Sequence, residues 1–323
     1  MAMHRLTSVT IGVPNLRETA EYYLDFGLLP TKDEVFSAYS GEQLTDATEY
    51  RFHTRDGGEQ LRLVQSPRRR VLQLGVGVED PDDLGRIASR LQRLDRPFTR
   101  DEMSVAAEDP GTEVRIRVEI APKYDQAPTP WPPTNTPGKA ERLNERASGA
   151  LRDSKVHPRK LGHVVLGTTD EEASRKFFTE GLGFKVSDQV PFLAAFMRCS
   201  TDHHNVLVQQ APVSYLHHTS WQVDDVDEIG RGATDMLAKD PNRHVWGLGR
   251  HFVGSNYFWY LRDPAGNFSE YYSDIDCIVD DQLWTPGVWE GDAGLYKWGP
   301  PPPPSFLAPD DLAGLMAGAH GSE

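Results

Sequence analysis

Cysteine is nearly absent: Cys199 and Cys277 are the two in 323 residues, and they lie far apart. That excludes a disulfide scaffold or a cysteine zinc site and suits a reducing compartment. Long apolar runs are missing too; nothing approaches the ~18 residues that a membrane-crossing helix needs. The opening MAMHRLTSVTIGVPN has no apolar signal-peptide core and enters a strand-like pattern directly, so a cytoplasmic protein is expected. Positive charge is scarce: 34 Lys and Arg against 48 Asp and Glu leave a formal net charge of −14. Such a balance opposes binding to nucleic-acid phosphates. Apolar residues (38%) and aromatics (10%) are plentiful enough for a sizeable core. The length fits two domains.

Four segments begin alike: Leu6–Val13, Val71–Val78, Leu161–Thr168 and Leu216–Val223. Each is a strand pattern followed by an acidic or Pro/Asn helix start and an amphipathic helix. Further strand-like runs follow, among them Tyr50–His53, Gln60–Gln65, Arg115–Ile120, Phe192–Cys199 and His204–Gln210. The unit is therefore a βα pair plus several strands, present four times. The longest interval between units holds a Pro-rich stretch with Pro128, Pro130, Pro132, Pro133 and Pro137, which marks a linker. A short helix is expected over Glu141–Leu151. The expected division is 1–121, linker 122–159, second domain 160–280, and a Trp/Pro-rich tail 281–323. The tryptophans Trp284, Trp289 and Trp298 suggest packing of the tail on the body or on a neighbouring subunit, with a disordered end beyond about Pro309.

Equivalent third positions of the four strands carry Ser8, Gln73, His163 and His218. The first two are poor metal ligands. A lone strand histidine is more often structural than a ligand, but two at one position of a repeat are not independent. His217 stands beside His218 and points to the opposite face of a regular strand, so His218 is preferred. Downstream, Asp263-Pro264-Ala265-Gly266-Asn267 is turn chemistry between the aromatic runs Asn256–Leu261 and Phe268–Tyr272, which reads as a hairpin. Its second strand holds the lone carboxylate Glu270 among aromatics. A buried carboxylate needs a cation. Two imidazoles and one carboxylate on facing strands make a 2-His-1-carboxylate set, the arrangement of non-haem Fe(II) sites with open positions.

The run Gly249, Arg250, His251, seven residues, Trp259, Tyr260, two residues, Asp263, Pro264, Ala265, Gly266, three residues, Glu270 resembles the signature of type I extradiol ring-cleavage dioxygenases of the vicinal oxygen chelate superfamily. Trp259 departs from it, where an aliphatic residue or Phe is expected, and remains apolar. The resemblance implies an α+β fold: two domains, each of two βαβββ modules in a curved, open, barrel-like sheet. It implies iron ligands at His163, His218 and Glu270 (Fe(II), with Mn(II) possible), a substrate-binding Tyr260, and His251 nearby to orient or stabilise the substrate. A further histidine beside dioxygen is expected from Asp202-His203-His204-Asn205. His204 fits the family's His-Asp/Asn register, whereas His203 would point the other way in a strand. The first half keeps the repeat without a metal site.

The implied activity is extradiol cleavage of a catechol by O₂ in aromatic catabolism, with a homo-oligomer as the usual assembly. Phe192, Phe196, Val206, Trp246, Phe252, Tyr257 and Tyr271 are candidates for the pocket wall. Rival readings are a metal-dependent isomerase, lyase or glyoxalase of the same fold, which commonly has Glu or Gln at the histidine positions, and a metal-free aromatic-binding protein.

Overall fold

The computed structural model describes residues 3–31, 48–290 and 294–319. Within them the four repeated units build two open sheets. The first contains β1 (Met3–Val13), β2 (Leu29–Pro30), β3 (Glu49–Thr54), β4 (Gly58–Gln65), β5 (Arg70–Val78), β6 (Phe98–Arg100), β7 (Ser104–Glu108) and β8 (Arg115–Ile120). Their order is β2-β3-β4-β1-β5-β8-β7-β6. The second contains β9 (Lys160–Thr168), β10 (Lys185–Val190), β11 (Ala194–Arg198), β12 (Val206–Gln210), β13 (Tyr215–Gln222), β14 (His244–Arg250), β15 (Tyr257–Arg262), β16 (Phe268–Ser273) and β17 (Gly287–Val288). Their order is β14-β15-β16-β13-β9-β12-β11-β10-β17.

The repeat holds to the level of register. At the centre of the first sheet, β1 and β5 run antiparallel with Ser8 opposite Gly75 and Thr10 opposite Gln73. At the centre of the second, His163 lies opposite Ser220 and His218 opposite Val165, the same offset. A helix follows each opening strand: α1 (Leu16–Asp25), α2 (Pro81–Arg93), α4 (Glu171–Lys176, extended by a π-helical turn to Leu182) and α5 (Val226–Lys239). A short α3 (Ser148–Leu151) lies in the linker, where Glu141–Leu151 was expected to be helical. Asp80, Asp170 and Asp225 each accept a hydrogen bond from the backbone three residues on, so the acidic helix starts act as caps.

One continuous core joins the halves. Phe26 of the first stacks on Tyr271 of the second with ring centroids 3.9 Å apart. A buried apolar side chain of this size contributes roughly 1.5–3 kcal/mol. No described helix is long and apolar enough to cross a membrane.

Two expectations need correction. The strand expected over Phe192–Cys199 starts at Ala194; Phe192 sits in a turn with φ 61° and is 89% exposed. The end beyond Pro309, expected to be disordered, is a helix as far as Ala319, after a short α6 (Pro304–Leu307); this last helix is α7 (Leu312–Ala319). Leu315 buries itself against Val213 and Tyr215. Arg69, itself buried, holds Asp311 in a fork of 2.6 and 2.7 Å. Residues 320–323 lie outside the described residues. Earlier in the tail, Trp284 donates to the Ser187 carbonyl at 2.8 Å and Trp289 to Asp188 at 3.2 Å. The tail thus packs on the body of its own chain.

Candidate metal centre and its cavity

Three adjacent strands, β9, β13 and β16, carry His163, His218 and Glu270 to one point. His163 Nε2 lies 3.0 Å from Glu270 Oε2, His218 Nε2 lies 3.7 Å from the same oxygen, and the two imidazole nitrogens are 3.4 Å apart. The ligand-type atoms all fall within 4.8 Å of one another. All three residues are buried, Glu270 completely. The register follows from the turn at 263–267. Asp263 accepts from the Asn267 backbone at 2.8 Å and from its side chain at 3.0 Å, and Gly266 takes φ 91°. This pairing sets Tyr260 opposite Glu270.

The donor set fits a divalent cation. Glu270 Oε2 is buried, yet accepts no hydrogen bond despite its short distance to His163. An orphaned buried carboxylate oxygen is costly without a positive partner. Its other oxygen, Oε1, accepts from Asn256 Nδ2 at 3.1 Å. Burial works against ionisation of Glu270, but the surrounding imidazoles of His163 and His251 outweigh it and keep the carboxyl below its ordinary range. Burial, with His217 next in weight, holds His218 well below the usual imidazole range, leaving it neutral. A carboxylate beside a neutral imidazole such as that of His218 is the state in which metals are bound.

The first half shows why its equivalent point is different chemistry. Glu270 pairs with Ser220, and its counterpart pairing with Gly75 is Arg117. Ser8, Gln73 and a cation replace two imidazoles and an anion. Among the described residues no second group of three His, Cys, Asp or Glu gathers in this way.

The centre opens into a cavity of about 430 Å³. His204, His251 and Tyr260 are on its wall. His204 is in the loop before β12, not in a strand as expected, and its ring centroid is 4.2 Å from that of His163. His203 lies behind it, Nδ1 to Nδ1 at 3.1 Å, with Asp188 Oδ2 3.4 Å from its other nitrogen. Burial first, then the neighbouring His163, holds His204 well below the usual imidazole range. His251 donates through Nδ1 to the Leu295 carbonyl at 2.5 Å, which leaves Nε2 to meet the Tyr260 hydroxyl at 2.9 Å. Burial, reinforced by Glu270, keeps that hydroxyl protonated well above its ordinary range.

Of the aromatic residues expected to form the wall, Phe196 does. Trp246 stacks behind Tyr260 and Tyr271 packs on Phe26 instead. The remaining wall is Val165, Val190, Leu193, Leu207, Val253, Leu295, Phe306, Leu307 and a few small or amide residues; no described Lys, Arg, Asp or Glu lines it. His217, expected to face away, also reaches the cavity. The β9–β13 pairing shifts register between Leu216 and His218, and such a bulge breaks strict alternation.

Residues 160–271 match the model of the Glyoxalase/Bleomycin resistance protein/Dioxygenase superfamily. The chain is 32% identical to metapyrocatechase 2 of Cupriavidus necator over 317 residues, covering 95% of this chain and 92% of that protein. The fold superposes on homoprotocatechuate 2,3-dioxygenase from Brevibacterium fuscum with a TM-score of 0.72 at 19% identity, over 94% of this chain and 91% of that one. It also superposes on a Mn(II)-bound glyoxalase from Novosphingobium aromaticivorans with a TM-score of 0.74 at 22% identity, over 98% and 97%. A likeness to a metapyrocatechase over nearly the whole of both chains places this protein in the extradiol ring-cleavage dioxygenases of that superfamily.

Proposed function

We propose that the protein is an Fe(II)-dependent extradiol dioxygenase that opens the ring of a catechol-type diol with O₂ in aromatic catabolism, holding its metal at His163, His218 and Glu270. The observation that carries the reading is the orphaned Glu270 Oε2, buried against the imidazoles of His163 and His218 beneath a cavity. Mn(II) suits the same donors and is the alternative occupant. Domains at 1–121 and 160–280, joined by the 122–159 linker and followed by the tail, belong to the same reading. So do a cytoplasmic location and a homo-oligomer, in which a subunit contact would cover Phe192, Val279 and Leu283, each more than four-fifths exposed.

When bound, the metal supplies a positive centre at which a diol and dioxygen meet. The chain supplies the rest. His204, neutral and aimed into the cavity, accepts a proton from a diol hydroxyl and later returns it. Tyr260, whose O–H donates to the bare Nε2 of His251, accepts a hydrogen bond from a diol hydroxyl, and His251, pinned by the Leu295 carbonyl, holds that tyrosine in place. Asn256 holds Glu270 through Oε1, so that Oε2 faces the imidazoles. Replacing Asn256 with the similarly sized Leu is expected to weaken Mn(II) binding about 10–100-fold, the range for partners that orient a ligand. Equilibrium titration of the metal-free protein checks this, and unchanged affinity would remove Asn256 from that role.

With no Lys, Arg, Asp or Glu among its described lining residues, the wall favours neutral diols. A carboxylate on the ring would be buried without a partner, a penalty of several kcal/mol. Oxygen-electrode assays of the Fe(II)-loaded protein should therefore show uptake and a yellow ring-opened product with alkyl- or aryl-substituted catechols. With a carboxymethyl catechol, kcat/KM should be at least ~10²-fold lower, since each 1.4 kcal/mol is tenfold. Absence of uptake with every catechol tried would refute the reading.

A further inference from the structure

His217 is used by nothing above, although it is buried and its ring lies against that of a proposed ligand. Its Nε2 lies 2.6 Å from the backbone carbonyl of Phe306, and its Nδ1 lies 2.7 Å from Nδ1 of His218. These two contacts determine where protons sit. A carbonyl only accepts, so the proton on His217 Nε2 points at Phe306. In a neutral imidazole the other nitrogen is then bare. A bare Nδ1 at 2.7 Å must be met by a donor, so His218 carries its proton on Nδ1. Its Nε2 is left with a lone pair directed at His163 and Glu270, 3.4 and 3.7 Å away.

The packing around His217 fixes both contacts. The ring is enclosed by Phe268 and Phe306, with centroids 5.5 and 4.7 Å away. The carbonyl just before it, that of Leu216, already accepts from the Arg69 guanidinium at 2.8 Å. The bulge at Leu216–His218 is what lets two consecutive histidines meet side by side.

We propose that the Phe306 carbonyl, acting through the positioning residue His217, fixes the tautomer in which His218 presents Nε2 to the metal, so that the C-terminal segment is a working part of the metal centre. Metal-bound imidazoles ordinarily donate their second N–H to a carboxylate, a carbonyl or water. Here that acceptor is a second imidazole, and the carbonyl stands one step further out. Phe306 and its neighbour Leu307 also form cavity wall, so one anchor both closes the cavity and prepares its floor. The inference rests on His218 being a ligand, as proposed above.

Side-chain nitrogen NMR of the histidine-labelled, metal-free full-length chain tests it without any substitution. The result expected is His217 protonated on Nε2 and His218 on Nδ1; a His218 protonated on Nε2 overturns the proposal. Mn(II) titration supplies a second readout. His217→Leu removes both hydrogen bonds and should weaken binding about 10–100-fold. His217→Asn, whose side-chain oxygen sits near the former Nδ1 and can still accept from His218, should retain most of the affinity. Unchanged affinity in His217→Leu also overturns the proposal. A wild-type chain that takes up no divalent metal, or a His218→Ala variant that binds Mn(II) as tightly as wild type, would instead defeat the proposed function.

Discussion

Glu270→Gln is expected to lose its metal, and with it all catechol-dependent oxygen uptake. The substitution is nearly isosteric and removes one negative charge at a point with no solvent access. With the charge gone, a divalent ion in that pocket faces only neutral donors, and it is not desolvated at tolerable cost. The loss should exceed the ~10–100-fold that follows from disturbing a mere orienting partner. The metal-free protein is affected differently. There the imidazoles of His163 and His251 favour the ionised carboxylate, so its removal should cost the apo-protein some stability of its own. Thermal melts with and without Mn(II) separate the two effects. Wild type should gain about 2.7 kcal/mol at a hundredfold excess over Kd, whereas the variant should gain almost nothing. A variant that melts like wild type in the presence of Mn(II) and still consumes oxygen would rule out a ligand at this position.

The same carboxylate shows how far the chain can be read without coordinates. His163 and His218 stand at one place of a repeat, and Glu270 follows a turn whose chemistry is local. Short-range patterns of that kind survive folding, and the structure indeed brings the three residues within 4.8 Å. The alternation rule failed at His217, because it assumes a regular strand and a bulge adds a residue to one side. At His203 and His204 strand geometry does not apply, because both stand in a loop, yet His204 and not His203 reaches the cavity as the sequence suggested. The tail was illegible for a different reason. The Leu295 and Phe306 carbonyls act through backbone atoms, which every residue possesses, and their partners lie 44 and 89 positions away. Arg117 could have been noticed beforehand: it is a cation in the strand that repeats the one bearing Glu270. Recognising it required knowing that β8 pairs with β5 as β16 does with β13.

Turnover should fall about 10²–10⁴-fold in His204→Phe with the metal retained, the usual worth of a positioned acid–base group. Phenylalanine keeps the ring that packs edge-on against Phe196, with centroids 5.3 Å apart, so the cavity wall survives. It also leaves the donors at His163, His218 and Glu270 intact, and Mn(II) affinity should change little. Only the exchangeable proton is lost. That separates this variant from Glu270→Gln, in which metal and activity vanish together. It also separates it from a change in substrate fit, which would raise KM and leave kcat alone. Both rings of the His203–His204 pair are buried, but His204 alone reaches the cavity, so His203→Phe should cost less, acting through orientation only. Oxygen uptake by the metal-loaded variants at saturating catechol decides the matter. If His204→Phe turns over at close to the wild-type rate, proton transfer belongs elsewhere, and Tyr260 with its partner His251 becomes the pair to examine, because it is a hydrogen-bonded acid–base couple on the wall that includes no proposed metal ligand.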